Sequence, residues 1–473
     1  MSKVITRFPP SPTGFLHVGS LRTALYNFLF AKANNGKFLL RIEDTDQKRL
    51  VKGSDKDIMD RLKLFGLYYD NKPFYQSKRL DIYQKIAHKL VEEGKAYYCF
   101  CKPERLENLH QQQKNMKKPT MYDALCSKLN NQQIKEKIDV GRAHVVRLRI
   151  PKNETIEFND LIRGKVKFET NLIDDQIILK SDGFPTYHLA SVVDDNEMGI
   201  THVMRGEEWL SSTPKHIILY KFLGYKQPEF AHLPLLLNPD RSKLSKRVGD
   251  VSVKDYLEKG YLPEALLNFI LLLGWNPGDE KEIFSLDEMI KEFDVKKIHK
   301  AGAVFNVEKL DWINGHYIRN TKLGDLTKLA KPYYEKANIK ADDKFLEKVI
   351  ATEQERVKRL EELPELTRFF FEDIKYDKKM LVWKKSTADQ TKKNLRSLHD
   401  FLDKLPENKF TADTLEKEII DFIKKNDLGT GDVLWPMRVA LTGKEKSPGP
   451  FEVAGVLGKE KVLERIKNAI KLF

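Results

Sequence analysis

The sequence predicts an α/β protein whose sheet is interrupted by an inserted segment and whose last third is helical. Three observations carry this. Val4-Ile5-Thr6, a Pro/Gly-rich turn over residues 7–20 and an apolar run at helical spacing from Leu21 to Leu29 read as strand, turn and helix. Phe38-Leu39-Leu40-Arg41-Ile42 reads as a second, buried strand, which completes a βαβ unit with a right-handed crossover. From about residue 325 onward apolar residues recur at helical spacing with no strand-rich stretch behind them.

The remaining elements follow in order. Asn34-Asn35-Gly36 stops the first helix. Residues 56–95 read as helical, with Met59, Leu62, Phe65, Tyr83, Ile86 and Leu90 facing inward. A polar stretch to about Lys118 follows Tyr97-Tyr98-Cys99-Phe100-Cys101, and then 145–150 and 165–168 alternate as strands do. Ser191-Val192-Val193-Asp194-Asp195 is strand-like, and 201–210 reads as a strand running into a polar edge. Pro263 starts and Gly274 stops an apolar core helix. Composition breaks near 376–379 and 405–408 suggest joints in the helical region.

With 473 residues the chain has room for several domains. No run approaches the ~18 apolar residues of a membrane span, and the first strand begins too early for a signal peptide. A cytoplasmic protein with no membrane partner is the expectation. The net charge of +14, from 83 basic and 69 acidic residues, is scattered along the chain. It suits a broad polyanion-binding surface and serves solubility equally well. An odd number of cysteines, Cys99, Cys101 and Cys126, argues against a disulfide framework.

Two stretches carry the chemistry. The turn before the first helix offers unpaired N–H groups and a positive dipole end to a phosphate. His17 can add a donor there, and Gly19 allows close approach. On its own this reads better as a loop histidine beside a structural glycine. Far downstream, Lys243-Leu244-Ser245-Lys246-Arg247 follows Asn238-Pro239-Asp240 and can meet the same phosphates from the other side. A lone charge run is usually a solvated face. Taken together, and with Ser11-Pro12-Thr13-Gly14 ahead of His17, the two stretches resemble the signature motifs of class I aminoacyl-tRNA synthetases, in the wording of the bacterial-type glutamyl family.

That resemblance implies a Rossmann-type catalytic domain split over 1–95 and 186–250 by an inserted α+β domain, 96–185, which binds the tRNA acceptor stem. It further implies a stem-contact helical domain over 251–324 and all-helical anticodon-binding subdomains over 325–376 and 377–473. The implied activity is ligation of L-glutamate to tRNA(Glu) through glutamyl-adenylate, using ATP and Mg²⁺, by a monomer. His17, Lys243, Ser245 and Lys246 would be catalytic. Thr13, Gly14, Gly19, Glu208, Trp209, Leu236 and Arg247 would join His17, Lys243 and Lys246 around ATP.

Glutamate would be held by Arg7, Ser11, Glu43, Tyr187, Ser191 and Arg205, with Ser191 standing where the family often has Asn. Arg205 would fork onto the substrate's γ-carboxylate; a salt bridge to Glu207 or Glu208 is its alternative. Glu43 would take the α-amino group, or be part of an acidic turn ahead of the helix from about Asp55. Asp44 and Asp195 would meet the tRNA acceptor end. Cys99, Cys101, Tyr122 and Cys126 have the spacing of a structural zinc site known in the family, or are thiols left from a lost one. Arg356, Arg359 and Arg438 are cations available for anticodon reading. An enzyme that also charges tRNA(Gln), a nucleotidylyltransferase and a non-catalytic tRNA-binding relative stay open.

Overall fold

The structure, a computed structural model, describes residues 3–244, 252–384 and 386–473. The chain divides into two compact units, one of Met1–Tyr256 with Leu266–Val307, the other of Leu257–Ala265 with Glu308–Phe473.

In the first unit, β1 (Ile5–Phe8), α1 (Val18–Ala33) and β2 (Lys37–Ile42) form the expected parallel βαβ unit, with Ile5 opposite Lys37 and Phe8 opposite Leu40. Leu21, Leu25 and Leu29 of α1 are fully buried, each contributing about 1.5–3 kcal/mol. Residues 56–95 are not one helix. Gly66 and Pro73 frame a break between α2 (Ser54–Leu64) and α3 (Leu80–Glu92), where β3 (Phe74–Tyr75) adds a third parallel strand beside β2.

The insertion opens with β4 (Ala96–Cys99), and its polar stretch is the helix α4 (Pro103–Asn115). After α5 (Asn131–Asp139), β4 pairs antiparallel with β5 (Val145–Leu148). The insertion is not separate from the main sheet. It also supplies the hairpin β6 (Thr155–Asp160) and β7 (Gly164–Glu169), and β6 joins β10 (Glu229–Leu233) in parallel. β8 (Ile177–Leu179) then completes the three-stranded sheet with β5.

The strand-like segment 191–195 is instead part of helix α6 (Tyr187–Glu197). Val192 and Val193 suggested a strand, but all of Leu189–Asp195 is buried, and packing on every side overrides β-branched preference. β9 (His202–Gly206) runs parallel to β10 and borders β1, where the Thr201 N–H donates to the Ile5 carbonyl at 3.0 Å. The spatial order β3-β2-β1-β9-β10 reverses between β1 and β9, the switch point at which open α/β sheets bind ligands.

The helix expected between Pro263 and Gly274 is present at Pro263–Leu272. The second unit has no strand among its described residues. Its expected joints are short turns, Lys378–Leu381 and Glu407–Lys409, within one continuous apolar core that includes Phe369, Leu398, Ile419, Met437 and Ile466. Arg438 is committed there to the Ser447 and Pro448 carbonyls, and Arg359 to Glu362. No helix of the described residues is long and apolar enough to cross a membrane.

Candidate active site

A cleft of about 340 Å³ opens at the switch point, walled by the turn after β1 and the turn after β9. His17 is the N-cap of α1, its Nδ1 accepting the Gly19 N–H at 2.9 Å. The neutral ring that accepts at Nδ1 carries its proton on Nε2, so it is a donor on that side. A Cβ at Gly19 would lie 3.2 Å from His17 Nδ1, tighter than packing normally allows.

The two distant stretches meet here. Leu244 N–H donates to the Leu236 carbonyl at 2.9 Å, beside β11 (Leu236–Leu237), and Lys243 bridges to Leu237. Beyond the lysine segment, Ser252 bridges to His17 and the Val253 N–H donates to the Leu16 carbonyl at 2.9 Å. The two described flanks of the lysine segment are therefore anchored by backbone pairing, one to β11 and the other to the helix mouth. His17, Gly19, Leu236 and Lys243 line one cleft with Glu208 and Trp209. Ser245, Lys246 and Arg247 lie outside the described residues. Thr13 and Gly14 sit on the same turn without lining the cleft.

Arg205 stands on β9 at the opposite wall, 5% exposed. Its Nε donates to His232 Nε2 at 3.2 Å, and its two terminal nitrogens reach the Tyr187 hydroxyl, His216 Nδ1, Thr213 Oγ1 and the Trp209 carbonyl. None of these is a carboxylate. Glu207, the alternative partner, pairs with Arg163 and accepts the Leu235 N–H instead. Burial, then the neighbouring Arg205 charge, holds His216 far below its ordinary pKa. Burial, with Lys215 and Arg205, takes His188 down to about 3. The buried imidazoles around Arg205 are neutral at pH 7, and among the described residues no carboxylate pairs with its guanidinium.

Beneath the cleft, Asp195 Oδ1 accepts from Arg7 at 3.0 Å and Arg41 at 2.5 Å, and Arg41 also holds Glu43 at 2.9 Å. Burial drives both carboxyls up; for Asp195 the two guanidiniums outweigh it and the pKa falls, whereas for Glu43 it stays raised. Arg7, Ser11, Glu43, Tyr187 and Arg205 all line the cleft.

Asp44 and Asp195 are placed differently from the expected contact with a tRNA end. Asp195 is buried between two arginines, and Asp44 is buried with its oxygens on the Ser77 N–H and hydroxyl. Asp44 and Asp195 are 8% and 4% exposed. Ser191 is buried one helical turn from Tyr187, outside the cleft lining, its hydroxyl without a hydrogen-bond partner.

Residues 3–312 match the family described as tRNA synthetases class I (E and Q), catalytic domain. The chain belongs to this family. Residues 325–470 match the anticodon binding domain. The chain is 46% identical over 481 residues to the glutamate–tRNA ligase of Clostridium botulinum (strain Okra / Type B1), covering 99% of this chain and 98% of that one. It is 43% identical over 475 residues to glutamate–tRNA ligase 1 of Caldanaerobacter subterraneus subsp. tengcongensis, covering 100% and 98%. In structure it resembles a glutamate tRNA ligase from Elizabethkingia meningosepticum, solved in complex with its amino acid, with a TM-score of 0.90 at 37% identity over 99% of both chains.

Further along this synthetase chain, the Cys99, Cys101 and Cys126 sulfurs lie within 4.8 Å of one another. The Tyr122 hydroxyl is 3.4 Å from both Cys99 and Cys101 Sγ. Three convergent thiols match zinc's preference for sulfur.

Sequence reasoning missed the groups behind Arg205: Thr213, His216, His232 and Asp160. A histidine inside the apolar strand Phe230-Ala231-His232-Leu233 was the available signal. It also missed Arg22, buried beside the cleft with its guanidinium on the Leu273 and Pro234 carbonyls.

Proposed function

We propose that the chain joins L-glutamate to tRNA(Glu) in two steps at this cleft. The α-carboxylate attacks the α-phosphorus of ATP, forming glutamyl-adenylate and releasing pyrophosphate. A ribose hydroxyl of the terminal adenosine then attacks the activated carbonyl and releases AMP. The observation that carries the reading is the buried Arg205 guanidinium, with no carboxylate partner among the described residues, in the same cleft as His17 and Lys243.

Neither step needs a protein nucleophile, so catalysis comes from positioning and from donors aimed at developing charge. His17 Nε2–H and the mouth of α1 hold one flank of the triphosphate. Lys243, with Ser245 and Lys246, stabilises the departing pyrophosphate, and Arg247 adds charge. Mg²⁺ arrives with ATP and neutralises phosphate charge when bound. Glu208, Trp209 and Leu236 flank the nucleotide.

Glu43 receives the α-ammonium, which lowers the cost of its buried charge. Arg205 takes the γ-carboxylate, with Tyr187, Ser11 and Arg7 around it. Glutamine leaves that guanidinium without an anion, which discriminates more strongly than a missing methylene. Cys99, Cys101 and Cys126, with Tyr122, hold a structural zinc away from the chemistry.

The test is aminoacylation of separated glutamate and glutamine tRNAs. Charging of the glutamate tRNA with glutamate supports the proposal, and Lys246→Ala lowers ATP–pyrophosphate exchange. Exchange at wild-type rate in that variant removes the lysine's role.

A further inference from the structure

We infer that Asp160 and His232 are positioning residues for Arg205, the carboxylate fixing the histidine tautomer that presents a bare Nε2 lone pair to the guanidinium. This rests on the reading that Arg205 receives the substrate's side-chain carboxylate.

A neutral imidazole carries one N–H, and a carboxylate can only accept. His232 Nδ1 lies 2.6 Å from Asp160 Oδ2, with both side chains fully buried, so the proton sits on Nδ1. Nε2 is left as an acceptor, 3.2 Å from Arg205 Nε and 3.1 Å from Thr213 Oγ1. The opposite tautomer would set an N–H against the guanidinium N–H at a point where His232 and Thr213 are fully buried.

The guanidinium has five N–H donors. Nε–H is spent on His232, and the terminal pair on Tyr187 at 2.9 Å, His216 at 3.3 Å, Thr213 at 2.9 Å and the Trp209 carbonyl at 3.3 Å. Tyr187 and Trp209 line the cleft, whereas His216, Thr213 and His232 do not. The three buried acceptors hold the back of the guanidinium, and an incoming carboxylate exchanges only with the two cleft-side acceptors. Arg205 is thereby oriented before substrate arrives, which removes an ordering cost from binding.

Asp160 divides its oxygens between two tasks. Oδ1 accepts the Ile162 and Arg163 N–H groups at 3.0 and 2.8 Å and shapes the turn after β6, while Oδ2 sets His232. Because β6 belongs to the insertion, that segment contributes a group behind Arg205, two hydrogen bonds from the cleft.

Asp160→Asn separates the two tasks. The amide oxygen keeps the turn, and the NH₂ where Oδ2 stood can only donate, which drives His232 to the Nε2–H tautomer. In ATP–pyrophosphate exchange by the full chain with cognate tRNA, the variant raises the KM for glutamate about 10- to 100-fold, the loss of one charge-assisted hydrogen bond. The KM for ATP stays within about twofold, and ¹⁵N NMR of labelled histidine shows the His232 proton moved from Nδ1 to Nε2.

His232→Gln, which can present an amide oxygen to Arg205, keeps more glutamate affinity than His232→Leu. Arg205→Gln runs alongside. If Arg205→Gln leaves the glutamate KM unchanged, the underlying reading fails. If Arg205→Gln raises it while Asp160→Asn does not, or if His232→Gln and His232→Leu lose equally, the positioning role is overturned.

Discussion

His17 and Ser252 face each other across an isolated antiparallel bridge, although strands β2 to β11 lie between them in sequence. The bridge fixes where the lysine loop ends, and the pairing of Leu244 with Leu236 fixes where it leaves. His17 and Lys243 are held on one cleft by backbone pairing, so their approach does not depend on a ligand.

His17 has two separable roles, the cap on α1 and the donor at Nε2. Asn is a good N-cap, so His17→Asn should keep stability within about 1 kcal/mol while removing the imidazole donor. Exchange should fall about 100-fold, the scale of one lost transition-state donor. Thermal unfolding and exchange rates on the same sample check both halves.

Asp195 is the anion shared by Arg7 and Arg41. Asp195→Asn takes from Arg7 and Arg41 the carboxylate they share, and removing one partner of a buried pair costs about 3–5 kcal/mol. A lowered urea midpoint is the expected outcome, together with a higher glutamate KM, because Arg7 and Glu43 line the cleft.

Acid should destabilise the fold before the carboxylates titrate. His188, His216 and His232 all have pKa values lowered by burial, His188 to about 3, whereas an unfolded histidine titrates near about 6.5. Below that value and down to the folded pKa, the unfolded chain binds more protons. Stability is therefore complete above about pH 6.5 and falls as pH drops, by about 1.4 kcal/mol per pH unit for each histidine. Asp195, lowered in the fold, adds to the loss only near and below the ordinary carboxylate range. Urea midpoints measured from pH 7.5 to 5 should decline, with a shallower slope in His188→Gln.

The thiol cluster predicts about one zinc per chain by elemental analysis, lost in Cys101→Ser. Because Cys99, Cys101, Tyr122 and Cys126 lie away from the cleft, the loss should lower thermal stability more than the exchange rate.

The turn, His17, Lys243 and the helical second unit were legible because each rests on local signals: Pro and Gly punctuation, capping and apolar period. What escaped was set by packing. Val192 and Val193 look like strand residues until the helix α6 buries every side of them, and Pro73 hides a two-residue strand too short to show a period. Nothing local to Asp195 shows that Arg7 and Arg41 reach it from two strands, and His232 has no sequence neighbour that reveals Asp160.

The most direct measurement is ATP–pyrophosphate exchange with glutamate and with glutamine, in the presence of cognate tRNA, for the native chain and Arg205→Gln. The native chain should exchange with glutamate alone. In the variant kcat/KM for glutamate should fall about 100- to 1,000-fold, the cost of losing a buried charge partner, with the ATP KM unchanged. A variant that exchanges with glutamate as the native chain does would contradict the assignment of Arg205 as the group that chooses the acidic amino acid.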